Sequence, residues 1–289
     1  MLNKKKLSVL AGILILVGII GGLLTYRAID PEPISKEKVI NINSNQVSKV
    51  NIDTDNTRVH VYPIKGDNIK VTLKGETSPN IKRDFTTDVK NSTLFISYNE
   101  QQRSWVNFDI VSVLKPLSIN VYLPEKQYNS LGISSNNGYV SVKKLRAADV
   151  SVRANNGRVE LEDIDSQNLT TSVHNGLTSI KNAAAKTVQA KGNNGKITLS
   201  NVEGSLEGET HNGSITLETE ELDRDIDFKT HNGKVEITTE KEPSNVQFNV
   251  SVDNGKVDIL NKYDRDAVIG KGKNIIKLAT HNGSISVTK

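Results

Sequence analysis

The chain contains no cysteine. That removes disulfides, thiolate metal sites, a cysteine nucleophile and a lipidated cysteine behind an N-terminal apolar run. Aromatic residues make up only 4% of the 289 residues, with a single tryptophan. Neither sign of charge dominates, since 37 Lys and Arg face 33 Asp and Glu. Three of the basic residues, Lys4, Lys5 and Lys6, precede an apolar segment, so the remainder is close to neutral. A nucleic-acid binder carries a basic patch interleaved with aromatics, and the overall composition argues against such a partner. Beyond the apolar segment there is also no stretch of helical periodicity.

Leu7 to Tyr26 form a 20-residue run without charge. A helix of that length spans roughly 30 Å, the thickness of a bilayer's hydrocarbon core. Secretory signals have a shorter apolar region and a small-residue cleavage site; Tyr26-Arg27-Ala28-Ile29-Asp30 offers no clear one. The expectation is one N-terminal transmembrane helix, an uncleaved signal anchor over 7–26, with a cleaved signal as the alternative. The lysines before it place residues 1–6 in the cytoplasm and the remainder outside. Asp30-Pro31-Glu32-Pro33 opens a polar linker over 27–38.

The rest is organised by Asn-Gly. The dipeptide occurs as Asn137-Gly138, Asn156-Gly157, Asn175-Gly176, Asn194-Gly195, Asn212-Gly213, Asn232-Gly233, Asn254-Gly255 and Asn282-Gly283, in steps of 19, 19, 19, 18, 20, 22 and 28 residues. Apolar residues keep register with each Asn. Six positions before stand Leu131, Val150, Leu169, Val188, Leu206, Ile226, Phe248 and Ile276; three and five after, mostly Val, Ile and Leu recur. Alternation on both sides of a turn means two half-buried strands per repeat. Degenerate copies surround Asn56, where Thr57 replaces Gly, and Asn91, where Ser92 does. A single domain over 39–289 follows, with degenerate repeats over 39–125 and regular ones over 126–289.

Asn-Gly between alternating strands is also the strongest short hairpin signal, so an antiparallel meander competes with a β-solenoid. The residue before each Asn decides between them. It is Asn136, Asn155, His174, Asn193, His211, His231, Asp253 and His281. Hairpins give no reason for that recurrence, whereas solenoid coils stack equivalent positions about 4.8 Å apart into ladders. The fold class is all-β, a β-solenoid with repeats of about 19 residues. Thr171, Ala190 and Gly208, four before Asn, imply a thinner core there or a close approach of facing strands.

Segments such as Ser135-Asn136-Asn137-Gly138-Tyr139-Val140, Thr210-His211-Asn212-Gly213-Ser214-Ile215, Thr230-His231-Asn232-Gly233-Lys234-Val235 and Thr280-His281-Asn282-Gly283-Ser284-Ile285 carry a resemblance. With the anchor and linker, the chain resembles the bacterial β-strand-repeat, adhesin-like proteins of the toast-rack β-helix type. Within them it is similar to membrane-anchored members encoded beside cell-envelope stress systems. The resemblance implies a right-handed single-stranded β-helix at the cell envelope, without enzymatic activity. Function is not fixed by such a fold.

Chemistry is hard to find. Four of five histidines share one repeat position, yet Asn193 and Asp253 interrupt the row, and no metal site or cofactor is expected. No G-x-S-x-G elbow is present. Glu160-Glu162, Asp163-Asp165, Glu220-Glu221 and Asp223-Asp225 could serve a polysaccharide lyase or hydrolase only if they faced one another across a cleft. Gly192-Asn193-Asn194-Gly195-Lys196 reads as a repeat corner rather than a phosphate loop, and Gly270-Lys271-Gly272-Lys273 as a basic turn. Arg103, Trp105 and Phe108 interrupt the repeats and are candidate binding residues, Trp and Arg being favoured at hot spots; capping the core is the alternative. The expected function is non-catalytic binding or scaffolding, toward an envelope component or a membrane protein, or signalling through the anchor helix. Since the chain stops straight after Val287, the C-terminal end of the solenoid is expected to be open to another copy.

Overall fold

The computed structural model describes residues 4–28, 32–43, 46–77, 82–101 and 117–289, with side chains over 8–22, 46–76, 84–100 and 117–289. Arg103, Trp105 and Phe108 lie outside the described residues. Helix α1 covers Lys4–Ala28. Among the described residues no helix is long and apolar enough to cross a membrane; the described side chains of α1 span 8–22.

Strands β1 (Glu32–Asn43), β2 (Lys49–Ile64), β3 (Asn68–Thr77), β4 (Lys82–Lys90), β5 (Thr93–Gln101) and β6 (Ser118–Pro124) precede one ribbon, β7 (Gln127–Thr219). Strands β8 (Ile226–Thr239), β9 (Val246–Ile259), β10 (Val268–Ile269) and β11 (Asn274–Thr288) follow. In β7 the chain winds without a break through successive coils, each burying alternate residues. The row six before each Asn is buried at every coil from Val50 to Phe248, and Val140, Val159, Ile197 and Ile215 behind the corner are equally enclosed. Each such aliphatic contributes about 1.5–3 kcal/mol when removed from water. The parallel pairing between coils bears out the solenoid.

At both ends the coils are out of sequence order. β2 pairs in parallel with the first coil of β7, matching Asn56 to Asn137, and on its other side with β5 and β6. The coil made by β5 and β6 is therefore outermost, and β2 is interior. At the far end β11 pairs with both β8 and β9, matching Asn282 to Asn232 and to Asn254. The C-terminal strand is thus the penultimate coil. The expectation that it forms the open end of the solenoid is overturned. The outermost coil is β9, and one of its edges is partly covered by antiparallel β10 and by backbone bonds from Phe248 and Val250 to the carbonyls of Ala267 and Arg265. Covering an edge strand blunts its tendency to pair with other chains.

Two further expectations change. Asn91 and Ser92 do not turn a coil corner; with φ of 49° and 59° they form a hairpin joining β4 to β5, the conformation of a type I′ turn. Part of the 27–38 linker is strand, because β1 starts at Glu32 and pairs antiparallel with β3. It lies at the edge of the sheet, where proline is tolerated since no partner needs its missing N–H. The small residue at Gly208 answers to its neighbour. It pairs with Phe228, and a Cβ there would lie 2.8 Å from the phenyl ring. The space beside Gly208 is filled by the next coil's aromatic ring, with Ile215 of its own coil 3.4 Å from the same point.

Candidate binding faces and corner ladders

The corner begins with a steric demand. The eight Asn-Gly glycines have φ between 139° and 159°, and an added Cβ would stand 1.5–2.1 Å from a carbonyl oxygen of the adjacent coil. Only glycine fits so close an approach at that φ. No Asn of these pairs has positive φ, which separates the corner from a type I′ hairpin.

Glycine lets the coils close up, and the asparagines then form one line. Each Nδ2 donates to the Oδ1 of the next coil at 2.7–3.0 Å, running from Asn254 through Asn282, Asn232, Asn212, Asn194, Asn175, Asn156 and Asn137 to Asn56. Asn56 donates in turn to Glu100 at 3.3 Å. All amides point one way, so each bond polarises its neighbours. The predicted turn asparagines are thus brought together in a single ladder.

One position earlier, Asn155 donates to Asn136 and Asn136 to Asp55. At the other end His211, His231 and His281 stack with centroids 4.8 Å apart, and His281 Nδ1 meets Asp253 at 2.6 Å. Sequence order separates His231 from His281 by Asp253. The inserted β11 moves Asp253 to the end and makes three contiguous rings. They border an open groove of about 550 Å³ that also involves Asn193, Glu209 and Lys229. Among the described residues no group of three or more His, Cys, Asp or Glu is arranged to hold a metal ion.

A second row escaped the sequence reading. Lys144, Asp163, Asn182 and Asn201 have φ of 51–56° and stack at the opposite corner, with Asn201 donating to Asn182 and Asn182 to Asp163. The signal was present, seven residues after each Asn. This corner borders a cavity of about 520 Å³ lined by Tyr62, Lys126, Tyr128, Lys143, Arg146 and Asp165 among others. Burial pushes the Tyr128 phenol up and the Lys126 amine down. The Tyr128 hydroxyl donates to the Pro124 carbonyl, and Lys126 donates to the Val47 carbonyl at 2.7 Å.

The acidic pairs are tied into local structure. Glu162 bonds Lys143 at 2.7 Å, and that bond holds its carboxyl below the usual range. Glu160 accepts from Tyr139 and pairs with Arg158. Glu220 pairs with Lys241 at 2.5 Å. Asp223 accepts from the Ser244 amide and hydroxyl, and Asp225 from the Ile275 amide. The backbone amides of Lys271 and Lys273 donate to Asn245 Oδ1, so the basic loop is built around that side chain.

A parallel solenoid with corner ladders and broad sheet faces defines the class of fold. The Toastrack DUF4097 family model matches residues 47–288, and the chain belongs to that family. No curated protein matches. A solved structure described as a candidate adhesin from Bacteroides fragilis is similar at 14% identity and TM-score 0.52, covering 89% of this chain and 97% of that one. Another, a candidate cell adhesion protein from Clostridium sporogenes, aligns at 13% identity and TM-score 0.29 over 89% and 99% of the two chains.

Proposed function

We propose that the chain is a non-catalytic, membrane-anchored, adhesin-like protein of the bacterial cell envelope, whose solenoid displays its sheet faces outside the membrane to an envelope component or a membrane protein. One observation carries the anchoring. The large apolar side chains of α1 on all sides, from Val9 through Ile13, Leu14, Ile15, Leu16 and Val17 to Ile20, are about half exposed or more. A helix apolar all round needs a core or a bilayer to cover it, and the uncharged run over 7–26 has the length for the latter. The binding role is supported by the Bacteroides fragilis structure's description as a candidate adhesin. A place beside an envelope-stress system is part of the same proposal and rests on the sequence resemblance alone.

The test is fractionation of bacterial cells expressing the full chain, followed by protease treatment of intact cells. The proposal expects the chain in the membrane fraction and its solenoid digested from outside. Full-length protein in the soluble cytoplasmic fraction would overturn it.

A further inference from the structure

Tyrosine is scarce in this chain, with seven residues in all, yet three of them meet on one outward sheet face. β6, β2 and the first coil of β7 place Tyr122, Tyr62, His60 and Tyr139 side by side. Tyr122 and Tyr62 have centroids 5.8 Å apart, Tyr62 and His60 stack at 5.7 Å, and His60 meets Tyr139 edge-on at 5.4 Å. All four are half-buried, with the rest of each ring open to solvent. Burial, then the charge of Arg58, holds the His60 imidazole below its ordinary value, so it presents a neutral ring at pH 7.

The charge around these rings is lopsided. Lys74 stands opposite Ser118, on the same face as Tyr122; directly opposed residues of an antiparallel pair share a face. Lys143 and Arg158 flank the rings with acidic partners, Glu162 and Glu160. Arg58 is exposed and, among the described residues, makes no ion pair. It lines an open groove of about 560 Å³ with His60, Tyr139 and the exposed Leu177. Whole-chain composition hides this patch because the rest of the surface balances it.

We propose that this platform binds an anionic glycan, its pyranose rings lying on Tyr62 and Tyr122 and a carboxylate or phosphate of the chain received by Arg58. The apolar faces of a pyranose carry C–H groups of slight positive charge, which complement the negative face of an aromatic ring. A guanidinium matches a carboxylate or phosphate through two parallel hydrogen bonds. A row of rings on a flat sheet suits a linear polymer better than a compact ligand. The inference rests on the surface-binding reading above and gives it a ligand class.

The experiment measures binding of the purified full chain in detergent to hexagalacturonate, a phosphorylated pentamannoside, neutral maltohexaose and an oligo-dT. The proposal expects one anionic sugar to bind tightest, and which one identifies the charged group. Tyr62→Leu and Arg58→Gln should each weaken it about tenfold, while Lys234→Gln at the far end of the face changes nothing. Arg58 is exposed, so its variant tests the site even if Tyr62→Leu impairs folding. Failure of both anionic sugars to exceed maltohexaose, tighter binding of oligo-dT, or unchanged affinity in both variants would overturn the proposal. Because binding is read on isolated protein, its failure is distinct from failure of the fractionation test.

Discussion

The middle of the solenoid and its two ends obey different rules. Through the coils of Asn137 to Asn212, order in space is order in sequence, and each corner bonds the one 18 or 19 residues before it. At the ends the terminal coil slips inward. β2 sits beneath the β5–β6 coil, and β11 lies between β8 and β9. Stacking a repeat requires only that its corner and core residues match, and any two of the Asn-Gly coils meet that condition. Repeat chemistry therefore specifies the corner without specifying which coil follows which. The longer inserts, which raise the step from 19 residues to 22 and 28, supply the slack to reorder. The outcome protects both ends, because antiparallel strands cover the outermost coils.

The sharpest way to break this comparison is to delete residues 274–289. If β11 were a terminal coil, its loss would trim one layer. As an interior coil it holds β8 to β9, so the deletion should cost a large part of the folding free energy of about 5–15 kcal/mol, seen as loss of a cooperative urea transition. A middle corner is next. Gly195→Ala places a Cβ 1.7 Å from the Gly176 carbonyl oxygen at a φ of 153°, and should cost about 3 kcal/mol or more in the same assay. The amide ladder separates middle from end more finely. Asn194→Ala interrupts two bonds and should cost about 1 kcal/mol, whereas Asn254→Ala removes only the last donor and should cost about half as much.

The smallest effect is one of pH. His60 has its pKa lowered from 6.5 by burial and by Arg58, so the unfolded chain binds a proton more readily than the folded one. Its contribution is fully present above about pH 6.5 and declines as pH falls through that value toward the folded pKa. His60→Phe should flatten the pH dependence of the melting temperature between pH 7 and 5, while Arg58→Gln should flatten it partially.

Much of this was legible in the amino-acid chain. The Asn-Gly corners, the buried row from Leu131 to Ile276 and the parallel stacking follow from residue spacing, because glycine tolerance and alternation are local properties. Asn91-Ser92 misled because hairpins and coil corners share the same turn residues. The row of Lys144, Asp163, Asn182 and Asn201 was readable but lacks a distinctive dipeptide. His281 against His231, and Tyr122 beside Tyr62 and His60, were not readable, since both depend on the order of coils at the ends. Local spacing carries no record of that order.

The order itself can be measured by cross-linking, because the chain has no cysteine to interfere. Ser284 pairs with Lys234 and with Lys256, so in full-length protein K234C/S284C and S284C/K256C should each oxidise to a disulfide within one chain. K234C/K256C should remain reduced, because its Cα atoms lie two strand spacings apart, about 9.6 Å, beyond disulfide reach. Rapid closure of K234C/K256C with no closure of K234C/S284C would show that the coils stack in sequence order and contradict the inserted C-terminal strand.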